Sequence, residues 1–244
     1  MKTIIIGDIH GRGVWREIIK NEQPDKVVFV GDYFDTHESI SFTEQLYNYQ
    51  ELVALKKTSD FEVVLLTGNH DFHYLPGVNE TYSGHQKQYH FVIQEKLNET
   101  MEHLSMCHKI DNILISHAGI SNKWFEYWVK KYDMDINESV DVIVNDLFKN
   151  NLKSFKFIGW DPYGDSVESS PIWIRPKSLQ ESNYDSFRKE YIQVVGHTTQ
   201  NKIDIKGQTT GGRYYYIDTL GTSGEYLIYQ DEKISLGYYH EINF

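Results

Sequence analysis

The chain has 244 residues, a formal net charge of −11 and one cysteine, a composition ordinary for a soluble globular protein. That acidic balance excludes a nucleic-acid surface built on a basic field, and the lone thiol, Cys107, excludes both an intrachain disulfide and a tetrathiolate zinc site. No apolar run reaches membrane-spanning length and no leader precedes the first strand, so the expectation is a cytoplasmic protein of one domain over 1–244.

Thr3 to Ile6 predicts a buried strand, and it ends in a glycine-rich turn, GDIHG, that carries Asp8 and His10. Residues two apart in such a turn can aim at one point beyond the strand's C-terminal edge, where open α/β sheets bind ligands. Taken alone, the turn equally suits an aspartate capping the next helix. Helical spacing follows over Val14 to Asn21 and stops at Pro24 and Asp25. Lys26 to Val30 reads as a second strand running into GDYFDTH, with Asp32 and Asp35. Phe42, Leu46, Tyr49 and Val53 mark a long helix over Ile40 to Lys57.

Glu62 to Leu66 is a third strand, closed by TGNHD with Asn69, His70 and Asp71. Residues 72–110 read as a helical insertion, with its helix over Gln86 to His103, covering one side of the strand ends. Asp111 to Ile115 predicts a fourth strand ending in SHAG with His117. Helices are expected over Asn122 to Lys131 and, from an Asn137 cap, through Val140, Ile143, Val144 and Leu147. Asp161 to Arg188 is irregular and contains SPIWIRP. Tyr191 to Val195 is a further strand, ending in GHTT with His197, and Lys202 to Phe244 has the alternation of an antiparallel meander.

Five strand ends thus deliver Asp8, His10, Asp32, Asn69, His117 and His197. These are oxygen and imidazole donors without a thiolate, a set that suits manganese, iron or zinc. A bridging carboxylate lets two such ions sit about 3.5 to 4 Å apart, the spacing used for in-line displacement at phosphorus.

The ordered set GDIHG, GDYFD, GNHD, SHAG and GHTT, spanning Gly7 to Thr199, resembles the calcineurin-like metallophosphoesterases, in particular the bacterial and phage branch of the phosphoprotein phosphatases. The resemblance implies a four-layer α/β/β/α sandwich of two mixed β-sheets flanked by helices. It also implies that Asp8 and His10 bind one metal, that Asp32 bridges, and that Asn69, His117 and His197 complete the second site. Two divalent ions are expected, Mn2+ first and Fe or Zn as the other choices. By the same likeness His70 is the proton donor with Asp35 as its partner, and Arg175, in PIWIRP, grips the phosphate. IDTLG resembles the strand and turn that follow the family's last histidine.

The implied activity is attack of a metal-bridging hydroxide on a phosphomonoester, on a phosphorylated protein or a small phosphoester, in the manner of a serine/threonine phosphatase. A dinucleoside polyphosphate hydrolase is the alternative. A non-catalytic scaffold would be expected to have lost ligands, and all six are present. No nucleic-acid or membrane partner is expected. One position departs from the family: its usual arginine after the second aspartate of the second motif is Thr36 here, and a threonine cannot grip phosphate as a guanidinium does. Arg12, His37 and Arg213 are the cations at hand to replace it. His73, His85, His90, His103, His108 and His240 lack ligand spacing and are expected mostly at the surface.

Overall fold

Alternation within the first strand sets the architecture. In β1 (Lys2–Ile6), Ile4 and Ile6 join one cluster of buried side chains and Ile5 another, as the two-residue period of a strand requires. The computed structural model describes residues 1–78, 80–156, 161, 163–183, 191–207 and 213–239.

In chain order, β1 is followed by α1 (Trp15–Glu22), β2 (Lys26–Phe29), α2 (Phe42–Thr58), β3 (Glu62–Leu66), the short α3 (Asn69–Phe72) and α4 (His90–Glu99). Then come β4 (Leu104–Ser105), β5 (Cys107–Ile110), β6 (Ile113–Ser116), α5 (Asn122–Lys131), α6 (Val140–Asn150) and α7 (Pro176–Asn183). The C-terminal part holds β7 (Ile192–Val195), β8 (Asp204–Gly207), β9 (Arg213–Tyr216), β10 (Glu225–Gln230) and β11 (Lys233–Tyr238).

Among the described residues these strands make a six-stranded sheet, β11-β10-β1-β2-β3-β4, and a five-stranded one, β5-β6-β7-β9-β8. Both are mixed: β1, β2, β3 and β4 run parallel, β10 lies antiparallel to β1 and β11 antiparallel to β10, and β6, β7 and β9 run parallel with β5 and β8 antiparallel. Ile5, Val28 and Val64 from the first sheet meet Ile113, Ile115, Val194 and Tyr215 from the second, and this dry layer joins the sheets face to face. On the far side of the first sheet, Ile4, Val27, Phe29 and Leu65 pack with Trp15, Ile18, Tyr49 and Leu52 of α1 and α2. On the far side of the second, Tyr214, Tyr216 and Val195 pack with Leu179 of α7. The result is the expected sandwich of two mixed sheets flanked by helices.

Several expectations are corrected. Helix α2 starts at Ser41, whose side chain and Glu44 form a reciprocal capping box. Asn137 does not cap α6; its amide turns onto Asp135 Oδ1 at 2.9 Å, and Ser139 is the cap residue. The stretch read as a helical insertion also contains β4 and β5, through which the chain crosses from one sheet to the other. A helix, α7, lies inside the segment read as irregular; the rest of that segment falls partly outside the described residues. The C-terminal alternation is not one meander: β8 and β9 pair in the second sheet, whereas β10 and β11 form a hairpin in the first. Asp231 and Glu232 turn that hairpin with φ of 51° and 60°, the two left-handed residues that a tight hairpin turn demands. No helix among the described residues is long and apolar enough to cross a membrane.

Candidate metal centre

The loops after β1, β2, β3, β6 and β7 carry the six residues singled out by the sequence, and hydrogen bonds lock these loops to one another. His10 N donates to Asp32 O at 2.6 Å and Gly11 N to Tyr33 O at 3.1 Å, zipping the first loop to the second. Asp71, fully buried, accepts from Asp32 N and Tyr33 N at 2.8 Å each and from Gly68 N at 2.9 Å, tying the second loop to the third. Three of the six, His10, Asp32 and His197, sit at left-handed φ of 44°, 53° and 63°. Such conformations cost roughly 1 to 3 kcal/mol each and persist only where the surroundings over-determine them. Two glycines make the carboxylates fit: a Cβ on Gly68 would collide with Asp32 Oδ1, and one on Gly196 with Asp8 Oδ1.

The ring nitrogens face oxygens that cannot satisfy them. His117 donates from Nδ1 to the carbonyl of Val30 at 3.0 Å, so its Nε2 is a bare lone pair; it points at Asn69 Oδ1, 2.9 Å away, and at Asp32 Oδ2, 3.5 Å away. His197 uses Nε2 on the carbonyl of Trp173 at 3.1 Å, which leaves the Nδ1 lone pair 2.9 Å from the same Asn69 oxygen. His10 repeats the pattern, with Nδ1 on the carbonyl of Phe34 at 3.0 Å and Nε2 3.7 Å from Asp32 Oδ2. Burial pushes both His117 and His197 below the ordinary histidine range, so these two rings are neutral. Lone pair against lone pair is repulsive unless a cation lies between. Carbonyl partners on the opposite nitrogen are also the usual way in which ligand histidines are oriented. Asp8, buried, is pushed up by that burial and then by the charges of Asp218 and Asp32, a crowd of carboxylates that a cation would relieve. The donor set therefore fits divalent metal.

Beside these ligand candidates lies a second cluster, centred on Asp35. Its Oδ2 is 3.2 Å from His70 Nδ1 and 2.7 Å from His73 Nε2, while Oδ1 accepts from Tyr74 OH at 2.7 Å and from Gln86 Nε2 at 3.1 Å. Asp35, His70 and His73 are close enough to hold an ion, but here the ring nitrogens carry protons toward the carboxylate. His73 Nδ1 accepts from Tyr82 N at 3.2 Å, which places that ring's proton on Nε2, facing Asp35. Burial opposes a charge on His70, yet Asp32 and Asp35 outweigh it and raise His70 to about 9. Those hydrogen bonds hold Asp35 well below the usual carboxylate range although burial works against them. His73 is thus not at the surface: it is fully buried. The signal in the sequence was its position three residues after His70, on the same helical turn. His85, His90, His103 and His108 are half-buried, and His240 lies outside the described residues.

Arg175 reaches toward the same end of the sandwich. Its Nε donates to Tyr163 O at 2.9 Å, and Nη1 donates to Thr198 Oγ1 at 3.0 Å and to His197 O at 3.4 Å. Thr36 Oγ1 accepts from Glu38 N at 3.0 Å and faces a turn. Of the three cations considered for its place, Arg12 alone touches a loop of the centre, donating from Nη1 to Asp8 O at 3.2 Å while Glu38 takes Nε at 2.8 Å and Nη2 at 2.5 Å. Arg213 opens β9 at the register of Ile192, the opposite end of the strands from His197, and lines a separate cleft with Asp111 and Lys233. His37 is exposed.

Comparisons with known proteins bear on the family and the fold. A family model described as calcineurin-like phosphoesterase matches residues 1–218. One component of the nuclease SbcCD from Bacillus subtilis (strain 168) is 43% identical over 54 residues, which is 22% of this chain and 14% of that protein. A cold-active protein-tyrosine phosphatase from a psychrophilic Shewanella species superposes with a TM-score of 0.65 at 21% identity, over 97% of this chain and 77% of that one. A protein serine/threonine phosphatase from Saccharomyces cerevisiae gives a TM-score of 0.60 at 14% identity, over 100% and 81%. At these identities the two structures share the fold with this chain.

Proposed function

The chain belongs to the calcineurin-like phosphoesterase family of metal-dependent hydrolases, and we propose that within it this protein is a phosphomonoesterase of the serine/threonine protein phosphatase type with a dinuclear centre. The observation that supports this best is the position of Asp32. Its Oδ2 lies 3.7 Å from His10 Nε2 and 3.5 Å from His117 Nε2, so one carboxylate stands between the Asp8–His10 pair and the Asn69–His117–His197 group. In this reading Asp8 and His10 would hold one ion, Asn69, His117 and His197 the other, and Asp32 would contribute to both. Manganese is the proposed metal, because the oxygens and imidazoles suit it and no thiolate biases the site toward softer ions.

Bound divalent ions supply Lewis acidity toward phosphoryl oxygens and an activated water at neutral pH. The remaining work falls to the chain's own side chains. Arg175 has Nη2 without a hydrogen-bond partner among the described residues, and that atom is the one offered to a phosphoryl oxygen. His70, anchored through Nδ1 to Asp35, gives its Nε2 proton to the leaving oxygen as the ester bond breaks. Neither residue acts as nucleophile.

Full-length protein loaded with manganese and assayed on phosphoserine and phosphotyrosine peptides, p-nitrophenyl phosphate, diadenosine tetraphosphate and a bis-aryl phosphodiester tests the reading. Hydrolysis of the phosphoserine peptide with the highest kcat/KM of the panel is expected. A kcat/KM highest on diadenosine tetraphosphate or the diester would overturn the monoesterase assignment.

A further inference from the structure

The Asp35 cluster contains more order than anchoring one histidine requires. We infer that His73, with Gln86 as its helper, is a positioning residue for proton donation by His70, acting through Asp35. This rests on the reading of His70 as the donor to the leaving group.

A carboxylate has two oxygens and about four places for donors, and a carboxylate held by one partner alone can swing about its Cβ–Cγ bond. Asp35 cannot. His73 Nε2 fixes Oδ2 at 2.7 Å, and Tyr74 OH and Gln86 Nε2 fix Oδ1 at 2.7 and 3.1 Å. The remaining place on Oδ2 faces His70 Nδ1 at 3.2 Å. With Nδ1 tied to an oxygen that does not move, the opposite nitrogen of His70 keeps one direction, and direction within a few tenths of an ångström decides proton-transfer rates.

His73 is built to be that fixed donor. Its ring stacks on Tyr82 with centroids 5.1 Å apart at 21°, and meets Tyr74 and His85 edge-on at 4.3 and 4.9 Å. Its own Nδ1 is capped by Tyr82 N, so the tautomer is set by the backbone and the single ring proton faces Asp35. Gln86 is placed from the same stretch: its backbone N donates to Tyr74 OH at 2.7 Å, and its side chain also donates to Gln45 Oε1 at 2.9 Å. Residues 82–86 thus form a strap over Asp35; Gly84 of the strap lies beside the His70 ring, and the His73 ring meets that ring edge-on at 5.8 Å, but the strap's hydrogen bonds reach the proposed donor through the carboxylate. A buried histidine that merely fills space would need no such set tautomer.

The test uses the metal-loaded full chain and four variants, His73→Leu, His73→Gln, Gln86→Leu and His70→Asn, with kcat on an alkyl phosphate and on p-nitrophenyl phosphate, alongside bound manganese. A nitrophenolate leaves without needing a proton and an alkoxide does not. For His73→Leu the expected result is a loss of kcat about tenfold or more on the alkyl ester, at least about fivefold greater than on the aryl ester, with metal content kept. His73→Gln, whose amide can donate to Asp35 and accept from Tyr82 N, is expected to recover most of it. Gln86→Leu should show the same selectivity at smaller size, and it carries the test if His73→Leu does not fold. Equal losses on both esters for His73→Leu and Gln86→Leu, beside a selective loss in His70→Asn, would overturn the inference and leave the His70 reading standing. Equal losses in His70→Asn as well would remove the reading and the inference together.

Discussion

The backbone amide of His197 donates to both carboxylate oxygens of Asp8, at 3.1 and 3.0 Å, across 189 residues of chain. The first and last motifs of the sequence are therefore one piece of structure, in which Gly196 is the spacer: any Cβ there strikes Asp8 Oδ1. Gly196→Ala should displace that carboxylate, with only one methyl of the core, Val30 Cγ2 at 2.9 Å from the new Cβ, having to give way. Manganese affinity is expected to fall about tenfold or more, as for other groups that hold a ligand in place, with a melting temperature within a few degrees of the parent's in chelator. Calorimetric titration with manganese reads the first and thermal unfolding the second; unchanged affinity would mean that Asp8 is not held by this contact.

His70 gives the protein a pH signature. Asp32 and Asp35 overcome its burial and lift it from 6.5 to about 9, so charging it favours the folded state. That stabilisation is whole below about pH 6.5 and is lost as pH climbs through about 9; it amounts to something on the order of 3 kcal/mol. Denaturant unfolding of chelator-treated protein should show stability falling across this window, and His70→Gln should flatten the fall. A parent curve that is level from pH 6.5 to 10, on the scale of about 1 kcal/mol, would contradict it. Ions on Asp32 would take part of its pull, so the alkaline limb of activity on alkyl phosphates should lie below the apo value.

Arg175 is held by Tyr163 O, His197 O and Thr198 Oγ1, which fixes the guanidinium beside His197. Losing a charge-assisted contact to phosphate costs about 1.5 to 3 kcal/mol, or roughly ten- to a hundredfold in kcat/KM. Arg175→Ala should lose at least that on a phosphomonoester with its metal content intact. Unchanged kinetics would return Arg175 to the role of a loop tie.

The missing arginine at Thr36 leads to a comparison of three positions. Arg12 touches Asp8 O and is shared with Glu38, whereas Arg213 stands at the far end of β9. Arg12→Ala should raise KM for phosphomonoesters severalfold, and Arg213→Ala should leave it unchanged. Thr36→Arg, beside the Glu38 turn, should lower KM if the loop has the family's shape. A larger effect at Arg213 than at Arg12 would contradict this placement.

How far the sequence could be read follows from the kind of force involved. β1, β2 and β3 have apolar centres rich in β-branched residues and buried on both faces, and their limits were legible almost to the residue; α5 was read with the bounds Asn122–Lys131. The convergence of Asp8, His10, Asp32, Asn69, His117 and His197 was legible because each follows an apolar strand into a short turn. β4 is two residues long, and β5 has a polar middle in His108 and Lys109, so neither carries a strand's period. The final hairpins look alike locally, and nothing local says that one belongs to each sheet. α7 did leave a sign, a proline at its first position. The spacing of His73 from His70 put both on one helical turn, but its complete burial was not legible, since that depends on Asp35 and Tyr82, which reach it from other segments.

Metal stoichiometry tests the central claim most directly. After manganese loading and removal of free ion, the wild-type chain should carry two ions, and Asp32→Asn should lose both and more activity than His117→Asn, because one carboxylate stands between the two groups of ligands. Fewer than one ion per wild-type chain, together with full activity in a chelator, would contradict the account.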